Sequence, residues 1–133
     1  MKSLIDRIDK LIAKQDTSWT RNGHSVSVEL WKSGRKQKVR FYRRNNMYIF
    51  YSVVVGADYF RNAKLRREVA YRAWRKNALK DLVGFAFDEK RQLLGTIEQP
   101  VETLDHEEIQ LYIEVLAKEC DRFEYVLTGR DIE

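Results

Sequence analysis

Cysteine and proline are almost absent from this chain of 133 residues, which has one of each, Cys120 and Pro100. A single cysteine excludes a disulfide within the chain and fits a reducing cytosol. No apolar run approaches the ~20 residues of a membrane-spanning helix, and the first ten residues interleave acidic with apolar ones, unlike a signal peptide. We therefore expect a single cytoplasmic domain, spanning residues 1–133, that does not enter a membrane.

Groups that could form a catalytic or metal site are also scarce. The two histidines, His24 and His106, lie in no metal-ligand spacing and beside no evident nucleophile. Cys120 falls on an apolar stripe and is expected to be a buried structural thiol. The acidic residues within 105–108 are explained as the capped start of a helix. We expect no enzymatic activity, no catalytic residue, no metal and no cofactor.

The most apolar stretch of the chain is Met47 to Val55, whose β-branched and aromatic residues predict a strand. Successive side chains of a strand point to opposite faces. One face would carry Met47, Ile49, Tyr51, Val53 and Val55, and the other Tyr48, Phe50, Ser52 and Val54. The chain's own helices can cover one face, so the other must meet another layer, a partner subunit or a client protein.

The segments around this strand predict an α+β fold. An apolar stripe predicts a helix over 3–15, and alternation predicts strands over 25–32 and 38–43. The segment 16–23 is polar except for Trp19 and has a turn signal at Asn22-Gly23. A basic helix is expected over 58–79, broken near Asn62, with Tyr71 and Trp74 packed on the sheet. A hairpin over 82–97 and a helix beginning with a capping box at Asp105 complete the order α-βββ-α-ββ-α. The predicted architecture is a five-stranded antiparallel sheet with helices packed against it.

Charge is distributed very unevenly along the chain. Residues 1–80 contain 20 Lys and Arg against 6 Asp and Glu, whereas residues 81–133 contain 5 against 14. Basic and aromatic residues on a sheet suit single-stranded nucleic acid, although cations also line solvated faces and protect sheet edges. Nucleic-acid binding through the basic hairpin 32–44 and the basic helix 61–80 is therefore one hypothesis. Its candidate residues are Lys36, Lys38, Arg40, Arg43, Arg44, Arg61, Lys64 and Arg67.

Four segments of the sequence resemble a known family. They are Ala-Trp-Arg-Lys-Asn-Ala (73–78), Gly-Phe-Ala-Phe-Asp (84–88), Glu-Thr-Leu-Asp-His-Glu-Glu-Ile (102–109) and Cys-Asp-Arg-Phe-Glu-Tyr-Val-Leu-Thr-Gly (120–129). With the order of elements, they resemble YbjN-like proteins and, more distantly, class I type III secretion chaperones. The resemblance implies a five-stranded antiparallel sheet, homodimerisation and the binding of protein segments without catalysis. Secretion chaperones are typically acidic, whereas the N-terminal half here is basic.

The hypothesis favoured over nucleic-acid binding is a non-enzymatic, chaperone- or adaptor-like module that forms a homodimer and binds a protein client. It depends on the two-sided apolar strand and on the family resemblance. The residues expected to contact the partner subunit or client are Trp31, Tyr42, Tyr48, Phe50 and Val54.

Overall fold

The computed structural model describes residues 1–14, 18–30, 34–60, 62–79 and 82–128. In these residues the elements are α1 (Lys2–Ala13), β1 (Trp19–Asn22), β2 (Ser25–Leu30), β3 (Arg35–Arg44), β4 (Met47–Val55), α2 (Ala63–Ala78), β5 (Gly84–Phe87), β6 (Leu93–Pro100) and α3 (His106–Thr128). The predicted α+β class and order of elements are confirmed, with β1 as an additional strand. No helix in the described ranges combines the length and apolar character needed to cross a membrane.

The additional strand β1 makes the sheet six-stranded, where the sequence predicted five strands. β1 pairs antiparallel with β2, and Asn22 lies opposite Ser25 across a two-residue turn. Gly23 in this turn has a φ of +60°, which glycine adopts without steric cost. The sequence indicates the Asn-Gly turn, but the segment before it has only Trp19 as an apolar residue and therefore does not predict a strand.

The sheet is antiparallel throughout, in the order β1-β2-β3-β4-β6-β5. β3 and β4 are its longest strands and lie at its centre, with β6 on the other side of β4. The long helix α3 packs across β3, β4 and β6, while α1 packs on α3 and β1. One face of the sheet is therefore covered by helices, and we call the opposite face the open sheet face.

Helix α3 begins as the sequence predicted. The backbone N–H of Glu108 donates to Asp105 Oδ1 at 2.8 Å, and the N–H of Asp105 donates to Glu108 Oε1 at 3.3 Å. These two bonds form a capping box, which satisfies two backbone donors at a helix start that have no partner inside the helix.

Helix α2 is held to the rest of the protein at one side only. It begins after Asn62, whose side chain accepts a bond from the N–H of Leu65 at 2.7 Å, so the predicted break near Asn62 is confirmed. Only Val69 and Ala73 of its sixteen residues are buried. Near its end, Asn77 exchanges two 2.8 Å hydrogen bonds with the backbone of Phe85 in β5. The prediction that Tyr71 and Trp74 pack on the sheet is wrong, because both side chains face outward, 58% and 63% exposed.

The closest approach of α3 to the sheet depends on Gly95 in β6. A Cβ added there would overlap Cys120 Sγ and would lie 3.1 Å from Val83 Cγ1. Replacing Gly95 by alanine should therefore force α3 away from the sheet and lower the free energy of unfolding by about 1–3 kcal/mol, as overpacking does. Urea unfolding measures this change.

Gly84→Ala is the matched control, because a Cβ at Gly84 meets only Thr96 Oγ1 at 3.8 Å. This substitution should leave stability unchanged or raise it by up to ~1 kcal/mol through the lower entropy of the unfolded chain. Equal effects of the two substitutions would show that the contact between Gly95 and Cys120 does not limit the packing.

Candidate functional site

The face of β4 that was predicted to meet a partner is the face that packs against the helices. Tyr48, Phe50 and Val54 are at most 3% exposed and belong to the hydrophobic core, with the Phe50 ring 6.5 Å from that of Phe41. In this structure these three side chains are therefore not exposed to a partner. Both faces of β4 are apolar, so the sequence did not distinguish the covered face from the other one.

The open sheet face has an apolar centre. On β4, Ile49 is buried without being part of the main core, and Met47, Tyr51 and Val53 are half-buried. Tyr42 in the neighbouring strand is 40% exposed, and its ring contacts that of Tyr51 edge-on at 5.8 Å. Of the predicted partner-binding residues, Tyr42 is thus the one that the structure places on an exposed surface. Trp31 lies outside the described residues.

Four cations follow one another on the same open sheet face. They occupy alternate positions of β3, with Tyr42 in the same series, and we call them the cationic row: Lys36, Lys38, Arg40 and Arg44. Alternate residues of a strand share a face. Arg43 therefore points to the other side, where its Nε donates to the carbonyl of Asn45.

The cations of α2 lie away from this row. Lys64 and Arg67 are exposed on a helix that packs beside β5 on the covered side of the sheet. Two strands, β4 and β6, separate β5 from β3. The basic hairpin and the basic helix therefore do not form one continuous surface, although the nucleic-acid hypothesis had combined them. Arg61 lies outside the described residues.

Exposed apolar side chains on α2, directly after it and near the end of α3 make up a second set. Its members are large side chains that are at least half exposed, and we call them the helical patch: Tyr71, Trp74, Leu79, Tyr125 and Val126. The rings of Tyr71 and Trp74 stack with centroids 6.0 Å apart, and the Arg75 guanidinium lies 5.9 Å from the Tyr71 ring. Sequence reasoning missed this surface because it assigned both aromatic residues to the core.

A groove of about 280 Å³ runs between α2 and α3 beside the helical patch. Leu79, Phe123 and Val126 supply its apolar lining, and the remaining lining residues are cationic: Arg72, Arg75 and Lys76. The Lys76 ammonium lies 4.9 Å from the Phe123 ring centroid, within the range of a cation–π contact. This arrangement offers apolar contact together with positive charge.

An ion pair joins the sheet to α3 beneath these surfaces. Arg35 Nε and Nη2 donate to the two carboxylate oxygens of Asp121 at 2.8 and 2.6 Å, and both side chains are largely buried. Burial, reinforced by the charge of Asp121, raises the pKa of nearby Glu124, and Arg35 opposes this rise. Such paired, buried groups contribute fixed geometry more than net stability, so we assign the pair a structural role.

The described residues show neither a cluster of metal ligands nor an accessible thiol. No group of three His, Cys, Asp or Glu side chains in the described ranges could hold a metal ion. Cys120 is fully buried under β4, and this burial raises the pKa of its thiol to about 12. A nucleophilic thiol needs a lowered pKa and access to solvent, and Cys120 has neither.

Known proteins resemble this chain in structure rather than in sequence. No protein-family model and no curated protein sequence matches it. YbjN from E. coli superposes with a TM-score of 0.63 over 94% of this chain and 91% of its own, at 9% identity. The fold is therefore YbjN-like.

Two complexes of type III secretion proteins also superpose on this chain. The heterodimeric ExoU–SpcU complex of Pseudomonas aeruginosa gives a TM-score of 0.61, covering 92% of this chain and 99% of that one at 12% identity. The Yersinia pestis secretion chaperone SycH, bound to a fragment of YscM2, gives 0.55, covering 91% and 97% at 13% identity. These superpositions confirm the YbjN-like and type III secretion chaperone-like resemblance. At identities this low, they confirm it for the fold alone.

The buried position of Cys120 gives a direct test of the site chemistry. A thiolate-selective reagent at about pH 8 should react at least ~100-fold more slowly with the folded protein than with protein unfolded in guanidinium, because burial disfavours the thiolate. Absorbance of the released chromophore measures both rates. Fast reaction of the folded protein would show that Cys120 is accessible and would reopen the question of a nucleophilic role.

Proposed function

We propose that this protein is a non-enzymatic protein-binding module, chaperone- or adaptor-like, that acts as a homodimer. The observation that carries this proposal is the helical patch, in which Tyr71 and Trp74 expose more than half of their surface. Exposed apolar patches of this kind mark interaction sites. The fold shared with secretion chaperones in complex with protein partners supports the same function.

Tyr71 and Trp74 are large enough to anchor an interface whose remaining area comes from surrounding residues. Covering the exposed parts of Tyr71 and Trp74 removes roughly 250 Å² of mainly apolar surface from water, which gives about 6 kcal/mol before the costs of association. Rigid aromatic side chains lose little conformational entropy when they are covered, and they are enriched among the residues that dominate interfaces.

The charge around the patch indicates the kind of partner. Between residues 63 and 78, α2 has six Lys and Arg against the single acidic residue Glu68. Two α2 helices packed against each other would bring these like charges together, whereas an acidic amphipathic segment would neutralise them. We therefore assign the helical patch to an acidic protein segment, with its apolar residues on Tyr71 and Trp74 and in the groove between α2 and α3.

The partner surface is tested by replacing Tyr71 and Trp74 together with serine. A discrete protein captured from lysate of the source organism by the wild type, and resistant to nuclease, should be lost or reduced at least tenfold with this double variant. Quantitative mass spectrometry of the captured proteins measures the loss. Leu111→Ser is the control, because Leu111 is also an apolar side chain that is half exposed. It lies fourteen residues before Tyr125 of the helical patch, about 21 Å along α3.

Identical captured proteins from the wild type and the double variant would contradict the assignment of the patch. If Leu111→Ser also loses the partner, the binding surface would extend along α3 and would not be confined to the helical patch. The double variant should fold normally, since neither replaced side chain contributes to the core.

Assembly is tested separately by sedimentation velocity. The wild type should sediment as a homodimer, with twice the 15.9 kDa mass of the chain. Because like charges disfavour contact between two α2 helices, the Tyr71 and Trp74 double variant should keep this mass. A monomeric wild type at tens of micromolar would disprove the homodimer, and a monomeric double variant would make the helical patch the self-association surface.

A further inference from the structure

The cationic row on the open sheet face has little acidic compensation. Lys38 and Arg40 lie opposite Ser27 and Ser25 of β2, and neither has a carboxylate within ion-pairing distance among the described residues. At the two ends of the row, Lys36 lies opposite Glu29, and Arg44 is 3.5 Å from Glu98 in an exposed pair. The centre of the row is therefore two unpaired cations on a solvent-exposed strand.

Neighbouring cations of the row lie close enough together for their electrostatic potentials to add. Alternate residues of a strand are about 6.6 Å apart, which is shorter than the ~8 Å screening length at physiological ionic strength. Lys36, Lys38 and Arg40 have this spacing, so their charges repel one another and are stabilised when an extended polyanion neutralises them, whereas Arg44 lies two such steps beyond Arg40. Counterion release on such binding adds a favourable term that weakens as salt increases.

Aromatic rings lie beside the cations on the same face. Tyr42 occupies the row between Arg40 and Arg44, and Tyr51 lies opposite Arg40 in β4. The two rings meet at 70°, and Tyr42 is 40% exposed, so part of its ring is accessible to a planar group. A sheet that combines a backbone-tracking row of cations with accessible rings suits an unpaired strand of nucleic acid, whose bases stack while its phosphates follow the charge.

We propose that the open sheet face is a binding site for single-stranded nucleic acid, with phosphates along Lys36, Lys38 and Arg40 and a base stacked on Tyr42. This function goes beyond protein binding by the helical patch and uses the opposite side of the sheet. A duplex fits less well, because aromatic rings on a sheet stack on bases that are not already stacked in a helix.

The test uses a fluorescent oligothymidine of twenty nucleotides, dT20, with binding followed by anisotropy at 50 and 200 mM salt. The wild type should bind at 50 mM salt and more weakly at 200 mM. The charge reversal Lys38→Glu with Arg40→Glu should lower the affinity at least tenfold. It should also reduce the slope of log affinity against log salt by about 1.4, since each single-strand phosphate contact contributes about 0.7.

The matched control is Lys64→Glu with Arg67→Glu, which makes the same change in net charge on α2. This variant should bind dT20 within about threefold of the wild type. Absence of wild-type binding at 50 mM salt would overturn the proposal. An equal loss in both charge-reversed variants would also overturn it, because net charge and not the open sheet face would then govern binding.

Stacking is tested at Tyr42. Tyr42→Ala should weaken dT20 binding about tenfold, as loss of one base–aromatic stack does, while Tyr42→Phe should keep the affinity. Polyglutamate of matched charge should bind more weakly than dT20 and should not respond to either substitution. Stronger binding of polyglutamate, or no effect of Tyr42→Ala, would overturn nucleic-acid recognition in favour of an acidic protein segment. Far-UV circular dichroism confirms that each variant is folded.

Discussion

The contact between α3 and the centre of the sheet is the constraint on which the rest of the structure depends. Phe50 and Val54 of β4 are buried on the covered face, and Gly95 of β6 lets Cys120 approach the backbone, where its thiol points at the carbonyl of Ser52 at 3.7 Å. A core packed this closely commits one apolar face of β4 to α3. The other face has no helix left to cover it in the described residues, so the open sheet face is a direct consequence of where α3 lies.

Polar contacts of β3 with β4 and with α3 fix the register in which β3 and β4 pair. Gln37 donates to Ser52 Oγ at 2.7 Å, and Ser52 donates to the carbonyl of Lys38 at the same distance. A one-residue slip of a strand exchanges its two faces, so the buried bonds of Ser52 and the ion pair between Arg35 and Asp121 disfavour the alternative register. In the alternative register the cations of β3 would point into the core. The polar contacts thus keep the cationic row on the outside.

The sequence predicted the elements better than their orientation. The bounds of β4 and the capping box at Asp105 followed from local patterns, because strand composition and helix capping depend on adjacent residues. The covered face of β4 did not, because Tyr48 and Phe50 are no more apolar than Ile49 and Val53. The outward aromatics of α2 were also unpredictable, since an aromatic residue on a basic helix is equally compatible with a core and with an interface. Tertiary packing decides both cases.

The fold places the cations of β3 and those of α2 on two separate surfaces. The cationic row lies on the open sheet face, whereas the cations of α2 flank the helical patch on the covered side and toward the β5 edge. Three strand spacings of ~4.8 Å separate β3 from β5, and the thickness of the sheet lies between the two surfaces. Screening over that distance makes the two potentials nearly independent. An acidic protein segment at the helical patch and a nucleic-acid strand on the open sheet face would therefore bind without competing, and the protein could hold both at once.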